Sequence, residues 1–373
     1  MEIAALVSGG VDSSVVVQQL KEAGYDPTIF YIRIGMEDKD GYIDCPAEED
    51  IEILSPFLFE EAEFDIFIAH HIRVGGESAF YGINGVAHDT IPIFVVQGDD
   101  FKPATVLLGD IRGDFNIFFG CFEEKWGKDF DKIATGHYAT TTEIDGKVWL
   151  STAKDPVKDQ TDFLGQITRL QIQKLMFPIG HLMKSEVRAI AEQQKLPSAK
   201  RKDSQGICFL GKINYNDFIE RYLGKRTGKI VELETGKVLG KHNGYWFHTI
   251  GQRKGLGLSG GPWFVIKKDI KRNIIYVSNG YDPETQYGKI INMHGFDFIT
   301  EDPWGEFADE KEITFKIRHT PDFTHGRIRR IGDLYRIESD NKIQGIAPGQ
   351  YGVVYDKDHR LCLGSGMIID EEK

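Results

Sequence analysis

Cysteine is scarce in this chain of 373 residues: Cys45, Cys121, Cys208 and Cys362 are all there is, and they stand far apart. That usage excludes the dense disulfide framework of a small secreted domain and suits a reducing compartment. Also missing is any apolar run approaching the ~20 residues that a bilayer-crossing helix needs. The opening "MEIAALVSGG" has neither the basic start nor the long apolar stretch of a signal peptide. A soluble, cytoplasmic protein with no membrane partner is expected. Positive charge is short too, with 45 Lys and Arg against 57 Asp and Glu and a formal net charge of −12. This excludes indiscriminate binding to nucleic acid, which needs clustered cations. A local basic face stays open, since cations gather in "SAKRKD" (198–203), "KKDIKR" (267–272) and "HGRIRRIG" (325–332). The plainer reading of each run is a solvated surface. Internal repeats and low-complexity tracts are absent.

What the chain does have begins at once. "IAALV" reads as a buried parallel strand, followed by Ser8-Gly9-Gly10-Val11-Asp12-Ser13-Ser14 and a helical pattern that stops at Gly24. Strand, glycine turn and helix together make an anion site: backbone N–H groups can approach closely, and the helix N-terminus adds partial positive charge. Ser8, Ser13 and Ser14 can add hydroxyl donors, and Asp12 can help hold Mg²⁺ against phosphates. The string is neither a Walker loop, since no Gly-Lys-Ser/Thr comes after it, nor the dinucleotide G-x-G-x-x-G. The pattern S-G-G-x-D-S-S resembles the pyrophosphate loop of ATP pyrophosphatases, which adenylate a substrate and release pyrophosphate.

Further stretches come in order: "IATGHYA" (133–139), "KDQTDFL" (158–164), "FPIGHLMKSEVRAIAE" (177–192), "KRKDSQGICFLG" (200–211), "HTIGQRKGLGL" (248–258) and "IAPGQYGVVY" (346–355). With the first loop they resemble the tRNA-specific 2-thiouridylases over nearly the whole chain outside residues 54–119. The resemblance implies thiolation of the wobble uridine of tRNA. ATP with Mg²⁺ would adenylate the 2-oxygen of the base, and a cysteine persulfide, loaded by a sulfur-donor protein, would deliver sulfur. A second cysteine would close a disulfide during the cycle. By the same resemblance Leu6, Val7, Ser8, Gly9, Gly10, Val11, Asp12 and Ser13, with Ile32 and Gly136, would form the ATP site. Lys158, Asp159 and Gln160, and Arg318, His319 and Gln350, would contact tRNA. Cys208 in "DSQGICF" matches the persulfide cysteine. A buried inert thiol is the ordinary alternative, but Ser204, Gly206 and the basic Lys200-Arg201-Lys202 favour a reactive thiolate. His137 can be read as a general base; a structural role is preferred, because the family chemistry gives it none.

The expected fold class is α/β: a doubly wound parallel sheet of ATP pyrophosphatase type, with a small central domain and a C-terminal β-barrel. Alternating strands and helices over 1–53 and 120–208 place the catalytic domain at 1–208. A glycine-rich mixed region at 209–275 reads as a central tRNA-binding domain. Short strand-like runs from about 273, among them "IIYVS", "EITFKIR", "LYRIES" and "YGVVYD", put the barrel at 276–373.

One block does not fit. The family carries its nucleophilic cysteine in a segment like "PNPDxxCNKxIKF", shortly before the strand ending in "ATGHY". Here that place ends in "GDFNIFFGCFEEKWG", residues 54–119 hold one lysine, Lys102, and the motif is missing. Cys121 lies near, but its context matches the family's sequence just downstream of the motif. Read backwards through the complementary strand, the codons of Gly75 to Glu63 permit P-N-P-D-M-M-C-N-K-Y-I-K-F, with the cysteine opposite Ala69. The flanks agree: Phe119 back to Asp114 permits E-E-D-I-E-I, the sense sequence of residues 48–53, and Glu60 back to Leu54 permits F-E-E-K-W-G-K, that of residues 122–128. Residues 54–119 are therefore expected to come from an inverted DNA segment, whether a rearrangement or an assembly error. The adjacent His70 and His71 then read as antisense methionines; as neighbours on a strand they would point to opposite faces and seldom share a metal. Such a block was never selected to pack in this fold. Two other readings stand beside the sulfurtransferase: a non-catalytic tRNA-binding remnant, and a different adenylating enzyme such as an amidating pyrophosphatase, against which "DSQGICF" and "TIGQRKGLG" speak.

Overall fold

The computed structural model describes residues 1–31, 36–38, 41–43, 90–97, 100–107, 122–123, 126–201, 216, 220, 223–248, 250–279, 287–305 and 309–369. Ile32, Cys45, His70, His71, Ala69, Cys121 and Cys208 lie outside the described residues.

Ile3–Val7 is buried at every position, as a continuous apolar run in a parallel sheet should be. It forms the middle of a four-stranded parallel sheet in the order Leu175–Met176, Lys132–Ala134, Ile3–Val7, Thr28–Tyr31. Its side chains alternate between two cores. Ile3, Ala5 and Val7 meet the helices Val11–Glu22 and Lys184–Gln193 through Val15, Val16, Leu20, Val187 and Ala191. Ala4 and Leu6 face Phe30, Phe122, Ile133 and Leu164. That second core runs on into the C-terminal part, where Val353, Tyr355 and Cys362 join it. Among the described residues the barrel thus contributes to the core on the second face of the parallel sheet.

The barrel consists of strands Tyr287–Phe298, Lys311–Lys316, Thr324–Ile331, Leu334–Gln344, Tyr351–Tyr355 and Leu361–Ile369. It closes because Tyr287–Phe298 pairs with both Leu334–Gln344 and Leu361–Ile369. A hairpin from the N-terminal part, Thr140–Ile144 with Lys147–Ser151, extends this sheet through the register pairs Cys362↔Leu150 and Leu361↔Ser151. The central sheet is separate, ordered Val238–His242, Gly228–Glu232, Ile274–Asn279, Trp263–Asp269. The run "IIYVS", expected as the first barrel strand, pairs here instead, parallel to Gly228–Glu232 and antiparallel to Trp263–Asp269. Within 54–119 the described strands Thr90–Gln97 and Asp100–Leu107 pair only with each other.

Candidate functional site

The chain leaves Ile3–Val7 toward Thr28–Tyr31 on one side and later returns to Lys132–Ala134 on the other. The crevice at the carboxyl ends of strands flanking such a reversal is where open α/β sheets bind ligands. Two segments meet there, the loop 8–13 and Gly136–Tyr138.

The loop is folded by its own side chains. The Ser8 N–H donates to Ser13 Oγ at 3.2 Å, and the hydroxyls of Ser13 and Ser14 donate to the Gly10 carbonyl at 3.2 and 2.8 Å. Gly9 has φ +75°, a left-handed conformation that favours glycine. Gly10 precedes the helix without a side-chain cap, so its N-terminus faces the crevice undecorated. Arg201 steadies the turn by donating to the Gly9 carbonyl at 2.9 Å. Gly136 lies so close that a Cβ there would stand 3.0 Å from the Ser13 nitrogen. Both approaches fix the loop backbone at the helix N-terminus, an arrangement suited to phosphates. Leu6, Val7 and Val11 are buried in the core, so their part in the site is that of backbone.

Asp12 accepts from Lys184 Nζ at 2.7 and 2.8 Å and from the Tyr138 hydroxyl at 2.8 Å. Neither partner was expected from sequence, although both stand in the stretches "IATGHYA" and "FPIGHLMKSEVRAIAE". His137 has Nδ1 3.1 Å from Thr135 Oγ1, and burial pulls its imidazole pKa down to about 4, with Asp12 opposing. It is neutral near pH 7, so it adds no charge to a phosphate site.

The loop 155–164 ties this crevice to the barrel. Asp155 accepts from the N–H groups of Val157, Lys158 and Lys184. Gln160 clasps Tyr138, its N–H donating to the Tyr138 carbonyl at 2.8 Å while its Oε1 accepts the Tyr138 N–H at 2.9 Å. Asp159 is buried and holds the Ala153 N–H at 2.7 Å and the Thr161 hydroxyl at 2.5 Å. It also faces the buried Lys316 of the barrel at 3.8 Å, whose Nζ lies 4.1 Å from the Phe323 ring centroid and makes no hydrogen bond. Asp159 therefore braces the seam rather than presenting itself to solvent. Arg318 and His319 lie across the same seam. The Arg318 guanidinium lies over Gly345, where a Cβ would collide with it. His319 bonds Asp162 at 2.9 Å and packs on Phe163. Burial raises the Asp162 carboxyl, and His319 pulls it back. Gln350 anchors barrel backbone, accepting the Ile368 N–H at 2.7 Å, while its Oε1 is buried without a hydrogen bond.

Of the expected residues the structure brings together Leu6 to Ser13 with Gly136, while Asp159 and Gln160 stand on the loop whose Asp162 bonds His319. Lys316, Tyr138, Lys184 and Phe163 were missed. Lys316 had one signal, a lysine set within the apolar run "EITFKIR".

Three family models match the chain. A tRNA methyl transferase HUP domain covers residues 1–55 and 100–212, a tRNA methyl transferase PRC-barrel domain covers 216–279, and an aminomethyltransferase beta-barrel domain covers 289–368. The tRNA-specific 2-thiouridylase MnmA of Parabacteroides distasonis is 81% identical over 373 residues, with 100% of each chain covered. The chain belongs to the tRNA-specific 2-thiouridylase family. The 2-thiouridylase MnmA of Porphyromonas gingivalis is 63% identical over 374 residues, covering 99% of each chain. MnmA 2 of Bacteroides fragilis is 57% identical over 368 residues, with 99% of this chain and 100% of its own covered. In the 2-thiouridylase family frame, the crevice lies in the matched HUP region and the seam joins that region to the matched beta-barrel. Among the described residues no helix is long and apolar enough to cross a membrane, and no group of metal ligands occurs.

Proposed function

We propose that this chain is built as an ATP-dependent tRNA-uridine 2-sulfurtransferase, and that in its present form it does not complete sulfur transfer. The observation that carries the first part is the cradle of residues 8–13 with Gly136 at the reversal of the parallel sheet. ATP is a substrate here. The 2-oxygen of the wobble uridine attacks the α-phosphorus, and pyrophosphate leaves along the loop 8–13. The helix N-terminus would meet its charge, and Asp12, which pairs with Lys184 in this structure, would hold Mg²⁺ against it once Lys184 turns to the phosphates. The terminal sulfur of a Cys208 persulfide, loaded by a sulfur-donor protein, would attack C2 of the base and form a C2–S–S–Cys208 adduct as AMP leaves with the oxygen. A second cysteine would then attack the Cys208 sulfur, breaking that S–S bond so that the outer sulfur stays on C2, and closing a disulfide that an external thiol reduces. In this reading residues 1–208 would activate the base, the central part through Asn279 and the barrel from Tyr287 would hold the tRNA, and Lys158, Arg318, His319 and Gln350 would be its contacts at the seam.

The second part rests on the block 54–119. The segment that should carry the second cysteine reads as antisense, and the family match stops at 55 and resumes at 100, inside the block's limits. A doubly wound chain places its next strand beside Thr28–Tyr31; among the described residues no strand pairs there, and the hairpin 90–107 pairs only with itself. A non-catalytic tRNA-binding remnant is the second reading, favoured by the missing motif.

ATP–pyrophosphate exchange, with and without tRNA, tests the assignment. Exchange that requires tRNA is expected of the sulfurtransferase frame; binding of tRNA without exchange would identify the remnant, and failure to bind ATP would defeat the assignment. Single long-molecule sequencing across codons 48–128 tests the inversion: copies with the motif in sense are expected, and codons that forbid the antisense pairing end the idea.

A further inference from the structure

Phe163 sits on the seam with 48% of its surface exposed, the residue before the fully buried Leu164. Burial does not explain it, since half of the ring gains nothing from the core. Yet it is not loose. The His319 ring packs against it with centroids 4.7 Å apart and planes 39° from parallel. His319 is itself held by Asp162 at 2.9 Å, and the Asp162 side chain is buried. An exposed aromatic ring fixed in place through an imidazole and a buried carboxylate is preorganised, so little side-chain freedom is lost when something settles on its open surface. Two cationic side chains stand nearby in sequence, Arg318 beside His319 and Lys158 on the same loop. A flat, half-exposed aromatic surface on a loop that also carries a cation suits one class of ligand, the unpaired base of an RNA strand, which stacks on aromatic rings while its phosphates meet cations.

We propose that Phe163, backed by His319, is a stacking platform for an unpaired nucleobase of the tRNA anticodon loop. The proposal rests on the reading of this chain as a tRNA-binding protein. The platform also has a route to the nucleotide crevice. Three residues before Phe163, Gln160 clasps the Tyr138 backbone, and the Tyr138 hydroxyl bonds Asp12 in the phosphate loop. A base seated on Phe163 is therefore carried by the same short loop that braces the ATP cradle.

The test measures binding of an anticodon stem-loop RNA to the full chain and to its Phe163→Ala, Phe163→Tyr and Phe163→Trp variants. Loss of stacking weakens binding by Phe163→Ala about tenfold, while the aromatic variants keep the affinity and all variants bind ATP alike. Because stacking involves no counterion release, the ratio of wild type to Phe163→Ala stays the same when salt is raised, whereas Arg318→Ala lowers the salt slope. RNA quenches the additional indole fluorescence of Phe163→Trp. Equal RNA affinity of wild type and Phe163→Ala, with no quenching in Phe163→Trp, overturns the platform while leaving tRNA binding intact. A wild-type chain that fails to bind the stem-loop overturns the platform together with the reading beneath it.

Discussion

Gly136 and Ser13 show how little room the phosphate cradle has to spare. The added methyl of Gly136→Ala would meet the Ser13 nitrogen at 3.0 Å, and backbone on both sides cannot give way cheaply. ATP affinity measured by calorimetry is expected to fall about tenfold, and the unfolding midpoint to fall with it, because the loop backbone must shift. Lys316 poses the opposite problem, a cation at 1% exposure facing an aspartate at 2%. Removing one member of a buried pair strands the other, so Lys316→Met should cost about 3–5 kcal/mol in urea unfolding. Lys316→Met combined with Asp159→Asn should recover much of that loss; an additive double variant would show that the pair is not coupled. His137 and His248 both have imidazoles depressed to about 4 by burial. A depressed histidine stays neutral in the fold while the unfolded chain takes up the proton. Stability is therefore full above pH about 6.5, falls as pH drops toward about 4, and flattens below. The urea midpoint followed across that window should show this slope, and His248→Gln should shallow it.

At the scale of elements, what could be read from sequence was what local pattern encodes. The run Ile3–Val7 announced a buried parallel strand because all its residues are apolar, and Gly9 announced the turn because few other residues adopt its left-handed backbone. The fate of "IIYVS" depended on a partner more than forty positions earlier, in Gly228–Glu232, and nothing in its own alternation chooses between the central sheet and the barrel. The hairpin 140–151 was equally silent about joining a strand at Leu361–Ile369, a contact decided by the shared core of Leu150, Tyr355 and Cys362. The same core explains the fourth cysteine. Burial drives the Cys362 thiol well above its ordinary range, with Asp159 and Asp162 adding to the effect. Cys362 should stay unmodified by iodoacetamide in the native chain and react only on unfolding, as mass spectrometry of the tryptic peptides would show.

For the molecule as a whole, the parallel sheet and the barrel share one core, and the loop 155–164 runs between them from Tyr138 to His319. On the proposed reading that arrangement would let the tRNA contacts and the ATP cradle act on one base. On the proposed reading the block 54–119 stands where the second thiol belongs, and a fold can keep its frame while losing a group that chemistry needs. The most direct measurement is the formation of 2-thiouridine in unmodified substrate tRNA incubated with this chain, ATP, Mg²⁺ and a persulfide donor. No thiolated tRNA should form, although ATP and tRNA bind. Thiolation at a rate that depends on Cys121 would mean that the missing cysteine has been supplied from within the present sequence, and that the block is functional as it stands.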